Sequence, residues 1–487
     1  MPTRMSRYRF DALADWCRVP GTRHLLPTVA AFSTMDEKAL GVVFYDKTLG
    51  KGLGEAGLFG YVLLGRDAFS RYQIFDRRGP YITARAANKA VLARLGEFEG
   101  KAPAVPMSPK AKRGVDLFSL IKGVKNLDEK FINLRDSVTS SAARELLTEI
   151  SYWFVDRDGN FAKDFQTTGF DGRLWELYLF ATFTAMDFEF NGSSAVPDFC
   201  LARDGKKVFV EATTANATAN VKPSIKGAPP PPPDDLRGYN EKEMVLKFGS
   251  PLESKVKKAY WDLPNVKGHP FVIAIADFHA PASMVWSQSA LQIYLYGFGV
   301  EQYEEGGKIR WREKRLDSHV VGAKTIPSNF FGQERHKHIS AILSSNAGTH
   351  AKFNRMGVQA GFGNDAVQLV RAGGLHVPGD FAYEPEPFRI NVEDPDYSED
   401  WDDELCVFHN PNAVTPLGDE MFRTAANYRL IDGEVLWTSP KRPVLFSSTR
   451  SLAFPGGGVD DIQPAKKPKA AEGKTAKKQK RTIKKAR

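Results

Sequence analysis

An α/β fold is expected for this chain: a mixed sheet flanked by helices, preceded by a small β-rich domain and followed by a disordered basic tail. Three stretches predict it. Leu174 to Met186 is apolar on nearly every side, which suits a helix buried among other elements. Phe199 to Ala202 and Lys207 to Thr213 flank the turn Arg203-Asp204-Gly205-Lys206 and read as a hairpin. Phe271 to Asp277 is a continuous apolar run entered from a helix, as an interior strand reached by a crossover would be.

Residues 1–105 read as the β-rich domain. Gly41 to Tyr45, Leu58 to Leu64 and Tyr72 to Phe75 are short strand-like runs, and a helix follows from Thr83 to Phe98. Gly52-Leu53-Gly54-Glu55-Ala56-Gly57 matches a dinucleotide-binding glycine pattern in letters only. A strand follows it where that fold needs a helix, so a hairpin loop is the plainer reading. No phosphate-loop lysine motif occurs, so nucleotide hydrolysis has no support. Residues 100–114, with three prolines and several cations, read as a linker. Residues 106–455 then hold a helical region and the α/β core, whose motifs span 170–277. Helices are expected at Asp116 to Ile121 and at Ser140 to Ile150, the second capped by Ser140 or Ser141.

The chemistry concentrates around Glu176, the single charge in the apolar helix. A buried carboxylate costs several kcal/mol unless a cation, a metal or hydrogen-bond donors meet it. Arg173, one turn earlier, is one available partner. Pro197-Asp198 opens the hairpin, and strand alternation puts Glu211 and Thr213 on one side with Asp198 able to lie beside Glu211. Two carboxylates on neighbouring strands repel unless a divalent cation sits between them. A third from a packed helix would complete a hard oxygen site for Mg²⁺ or Mn²⁺.

Helix Glu176, Pro197-Asp198 and strand Glu211 together resemble the PD-(D/E)XK superfamily of restriction-endonuclease-like nucleases, over about Phe170 to Asp277. The resemblance implies a restriction-endonuclease-like core, metal ligation by Asp198, Glu211 and Glu176, and hydrolysis of nucleic-acid phosphodiesters, DNA above all. The family expects Lys two residues after the second acid, where this chain has Thr213. Some members supply that Lys from a neighbouring helix, and Lys255 is the candidate here. Leu252, Val256, Ala259 and Leu263 form one apolar stripe at helical spacing, and Lys255 flanks it. The alternative is a catalytically inactive nuclease-like protein that still binds nucleic acid, which Thr213 favours. An interaction protein working through its proline segment and tail is a third reading.

Beyond the strand, Pro229 to Pro233 form a polyproline II segment, an exposed insertion that would suit a proline-reading partner or serve as a solvent loop. Leu291 to Gly297 reads as a helix end with a Gly stop, and Ile339 to Leu343 as a strand. Thr349 to Gly357 reads as a polar loop in which Lys352 and Arg355 could hold phosphate and Phe353 stack on a base, or as a plain surface loop. His336 and His338 would share one side of a strand with no third metal ligand near. Glu393 to Glu404 lacks the Gly and Glu of a calcium loop, with Trp401 and Val407 in their places, and reads as a solvated acidic loop.

Composition sets the limits. Hydrophobic residues at 42% and charged residues at 26% are ordinary for soluble globular material. No apolar stretch approaches a membrane span, and no apolar leader segment follows the N-terminal cations. Cys17, Cys200 and Cys406 are too far apart for a zinc knuckle or a disulfide framework, which fits a reducing, cytoplasmic setting. The net charge of +9 is uneven: Pro464 to Arg487 has eleven Lys or Arg against Glu472 alone, or +10, leaving the rest near −1. Residues 456–487 are therefore expected to be disordered, with Lys477, Lys478, Lys480 and Arg481 among the cations that would contact phosphates, unless the tail only solubilises or targets. Oligomeric state is not indicated.

Overall fold

In the computed structural model, which describes residues 1–48, 57–107, 111–192, 196–217, 233–377 and 385–454, an antiparallel sheet comes first. Its strands are β1 (Thr3–Met5), β2 (Thr28–Ser33), β3 (Ala39–Asp46), β4 (Leu58–Arg66) and β5 (Tyr72–Tyr81), in that order. Helix α1 (Arg7–Ala14) packs Phe10 and Leu13 against Leu40, Val42 and Leu64. Helix α2 (Ala84–Gly96) packs Val91 and Leu95 against Val43 and Leu63 on the other face. Strand alternation thus gives the sheet two apolar faces. Gly41 is needed where α2 crosses, since a Cβ there would lie 2.6 Å from Val91 and 2.9 Å from Leu95. Of the glycine pattern Gly52 to Gly57, all but Gly57 lies outside the described residues.

Farther along come α3 (Glu129–Asp136), α4 (Ser141–Ser151), α5 (Phe161–Gln166) and α6 (Phe170–Ala185). The chain then runs through β6 (Glu189–Phe190), β7 (Phe199–Arg203), β8 (Lys206–Asn216), α7 (Leu236–Glu241), α8 (Glu243–Val256), β9 (Phe271–Phe278) and α9 (Gln288–Tyr296). Two hairpins follow, β10 (Phe298–Glu305) with β11 (Lys308–Arg315) and β12 (Ser318–Val321) with β13 (Lys324–Pro327). Last come β14 (Ala341–Ser345), α10 (His350–Gln359), β15 (Val367–Leu375), β16 (Glu386–Asn391), β17 (Leu405–His409), β18 (Ala426–Ile431), β19 (Glu434–Thr438) and β20 (Val444–Ala453).

The central sheet is mixed, in the order β19-β18-β17-β14-β9-β8-β7-β6. β6, β7 and β8 form an antiparallel meander, and β9 joins β8 in parallel after the α8 crossover. β14 continues the parallel run, and β17 opposes it. β9 shows why the apolar run reads as interior. Val272, Ala274 and Ala276 face the core under α4 and α6, while Phe271, Ile273 and Ile275 face the core under α8 and α9. A separate sheet, β16-β15-β20, flanks this body.

Several expectations are corrected. Asp116 to Ile121 is not helical: the Asp116 carboxylate accepts the N–H groups of Phe118 and Ser119, a local turn that competes with helix. Ser140 precedes α4, yet its hydroxyl donates to Asn133 rather than capping the helix. α8 begins earlier than the stripe suggested and ends at Val256, and Ala259 lies beyond it at φ 47°, so only Leu252 and Val256 of the stripe are helical and buried. His336 and His338 lie in and just after a 3₁₀ turn, not on a strand. His336 stacks on Phe330 and His338 on Trp261, ring partners in place of metal co-ligands. Among the described residues no helix is long and apolar enough to cross a membrane. Pro229 to Pro232 and the tail cations Lys477, Lys478, Lys480 and Arg481 lie outside the described residues.

Candidate active site

Glu176 is set by α6, whose Leu174, Trp175, Leu177 and Tyr178 are fully buried. The Trp175 indole N–H donates to the Ala274 carbonyl at 3.2 Å, pinning the helix to β9. Arg173, on the preceding turn, donates to both Glu176 oxygens at 3.0 and 3.1 Å and to Asp164 at 2.7 Å. The arginine pairing read as an alternative is therefore present. It does not seal the site, because Glu176 also lines a cavity of about 380 Å³ together with Asp198.

The hairpin places the other two acids. Phe199 pairs with Val210 and Cys200 with Phe209, a register that carries Asp198 up to Glu211. Asp198 Oδ2 accepts the N–H of Ala212 at 2.7 Å, which holds its side chain across the two strands. Glu211 is buried in mid-strand. Its Oε1 accepts from Lys255 Nζ on α8 at 2.6 Å, and its Oε2 is buried with no hydrogen-bond partner. Lys255 thus reaches the acid from the neighbouring helix.

Burial pushes the Glu176 carboxyl up to about 8, helped by the nearby Asp198 charge and opposed by Arg173. Burial also pushes Asp198 up to about 7, helped by Glu211 and opposed by the Ala212 N–H and Lys255. Negative charge here is short of compensation. Folded carboxyls raised above their unfolded values hold protons more tightly than the unfolded chain does. Their contribution to stability is therefore present below about pH 4 and lost as pH rises through about 7 and 8. Metal-free protein is accordingly expected to melt at lower temperature at pH 8.5 than at pH 6, with Mn²⁺ restoring more at the higher pH because ligation needs deprotonated oxygens. Calorimetric melting with EDTA or Mn²⁺ across that range checks it, and a metal effect independent of pH would contradict it.

The donor set suits a hard divalent ion: oxygen ligands, mutual repulsion, and one buried carboxylate oxygen without a partner. As they stand, Arg173 and Lys255 bond two of the three acids. Among the described residues, the group with ligand oxygens all within 4.8 Å of one another is instead Asp400, Asp402 and Asp403. Lys441 Nζ already sits there, 2.6 Å from Asp400, 2.5 Å from Asp403 and 4.0 Å from Asp402, so a lysine ammonium supplies the cation.

Lys352 and Arg355 are a correction. They lie on α10, not in a loop, and are buried at 0% and 3% exposure, so phosphate cannot reach them. Both pair with Glu399, Lys352 at 2.8 Å and Arg355 through Nε and Nη2 at 2.9 and 2.7 Å. Arg371 binds Glu404 alongside. The acidic segment is a solvated loop only in its first part, where Glu393, Asp394 and Asp396 are exposed; in its second part Glu399, Asp402 and Glu404 are buried. Spacing could not reveal this, because Lys352 and Glu399 come from different elements.

Residues with no local signal complete the cavity wall, among them Trp16 from the N-terminal region and Trp153, Arg157 and Phe180 from the core. Comparisons of the chain with protein-family models, curated proteins and solved structures give no match.

Proposed function

We propose that the protein hydrolyses nucleic-acid phosphodiesters, DNA in the first instance, with Mg²⁺ or Mn²⁺, using a core of the PD-(D/E)XK type. The observation that carries this reading is Lys255 donating at 2.6 Å to Glu211, whose second oxygen is buried without a partner. The order of elements adds support: a helix with Glu176, an antiparallel hairpin with Asp198 and Glu211, a crossover helix with Lys255, and a strand parallel to the second acid's own. Asp198 and Glu211 would hold the ion, with Glu176 completing the shell or orienting its water. A bound divalent ion would polarise the phosphodiester and lower the pKa of the attacking water.

The chain's own groups then have separable tasks. Lys255, at a site only 17% exposed, would orient the nucleophile and screen the negative charge that develops on the phosphorus oxygens. Arg173 would hold Glu176 in place, bracing it against Asp164. The +10 tail would add salt-sensitive, sequence-independent attraction to phosphates in a cytoplasmic, nucleic-acid-associated protein.

The test is cleavage of single-stranded and duplex DNA by the purified full chain with Mg²⁺, Mn²⁺ or EDTA. Products with either metal and none with EDTA are expected. Intact substrate under all three conditions removes the reading and leaves the catalytically inactive binding protein, which Thr213 at the usual lysine position favours.

A further inference from the structure

Two of the three acids sit in a concavity. Glu176 and Asp198, though not Glu211 or Lys255, line a partly open pocket of about 380 Å³, at the small end of the roughly 300–1,000 Å³ typical of single-ligand pockets. A duplex presents its phosphates on the outside of a wide cylinder and keeps its bases stacked within, so its paired bases cannot enter a pocket of this size. An unpaired nucleotide can.

The walls suit that guest. Phe180, one turn after Glu176 on α6, stacks with Trp16 at 6.0 Å and 11°, and its other neighbours Phe154 and Phe190 lie at 5.4 and 5.0 Å. Trp153 is half-buried on the wall, with the Arg71 guanidinium 5.3 Å from its ring centroid. At the rim, Arg157 is exposed and donates to the Asp198 main-chain oxygen at 3.3 Å, placing a cation beside the acid that would meet the phosphate. The Asp156 carboxylate is turned onto the N–H groups of Asp158, Gly159 and Phe161, and Arg18 and Arg23 line the same pocket opposite Asp15 and Asp187, so its wall carries both signs of charge. Aromatic faces with a neighbouring cation are the means by which proteins hold unpaired strands regardless of sequence.

We infer that the substrate enters this cavity as an unpaired strand, its base against the Trp153 and Phe180 rings and its phosphate drawn by Arg157 to Asp198, with the N-terminal Trp16 backing the platform. This rests on the hydrolase reading above and names its substrate form.

The experiment uses full-length Asp198→Asn protein, so that strands are not cut, with a fluorescein-labelled oligodeoxynucleotide offered single-stranded or as a blunt duplex. Moderate salt screens contacts that both forms share. Anisotropy titration is expected to show the single strand bound at least about tenfold more tightly. Trp153→Ala in the same background is expected to lose about tenfold of that affinity, and Trp153→Phe, which keeps a ring, to lose much less. Equal affinities, a preference for duplex, or unchanged single-strand binding in Trp153→Ala overturns the inference. The single-strand to duplex ratio in the Asp198→Asn parent decides the matter even if a Trp153 variant misfolds. The two readings fail separately: duplex cleavage by wild-type protein without single-strand preference sinks this inference alone, whereas single-strand preference without cleavage in any metal sinks the hydrolase alone.

Discussion

Replacing Glu211 with Gln is expected to reduce metal-dependent cleavage by about a thousandfold or more, with the fold retained. The substitution keeps the side chain's size and its hydrogen bond to Lys255, yet removes the charge and the acceptor character of the buried, partnerless Oε2. Ion binding contributes several kcal/mol of transition-state stabilisation, and each 1.36 kcal/mol is about tenfold in rate, so losing a principal ligand reaches this scale. Asp198→Asn should fall similarly. Lys255→Met should fall by about a hundredfold to a thousandfold, the range for removing one preorganised charge-stabilising group. It should leave Mn²⁺ affinity intact or raised, since the ammonium no longer competes for Glu211. Single-turnover cleavage with parallel calorimetric Mn²⁺ titration reads both. Lys255→Met with wild-type rate would show that the lysine only neutralises a buried acid, and the proposed chemistry would lose its charge-screening group.

Replacing Glu399 with Gln is expected to destabilise the folded protein by about 3–5 kcal/mol, the usual cost of removing one partner from a buried ion pair. Glu399 is completely buried and binds Lys352, Arg355 and the Tyr397 hydroxyl. Burial opposes its charge, but Arg355 and Lys352 together hold the carboxyl well below the usual range. Without it, two cations remain in a dry interior. Lys352→Met should cost markedly less, because Arg355 and Arg371 still face Glu399 and Glu404, two cations against two anions. Denaturant unfolding of both variants separates the cases, and equal losses would mean that simple packing rather than charge balance governs the cluster. The network joins α10 and β15 to the acidic segment, whose Trp401 carbonyl accepts from Tyr178 two residues after Glu176. It therefore buttresses the helix that holds the candidate site.

Much of the site was legible because its signals are local. A lone carboxylate in an apolar helix, an acid opening a hairpin and another at an inward strand position are visible from residue type and period, and α6, β7, β8 and β9 occupy those stretches. The loop reading of Thr349 to Gly357 failed for the opposite reason. Its polar letters promise solvent, but α10 turns Lys352 and Arg355 inward to acids more than forty residues away, and charge paired at such distance leaves no trace in spacing. The second part of the acidic segment departs from expectation with it, since Glu399 and Glu404 are the other half of one network, while Glu393 to Asp396 stay exposed.

Sequence alone determined the mixed α/β class, the two core faces of the interior strand, the order of the three acids and the concentration of positive charge in the tail. The tertiary structure decided that Lys255 meets Glu211, that Arg173 braces Glu176, and that Trp16, some 160 residues before Phe180, stacks on it to wall the cavity. Periodicity records which way a side chain points along its own element. What it meets there depends on how separate elements pack to cover apolar surface, and that is settled only when the whole chain folds.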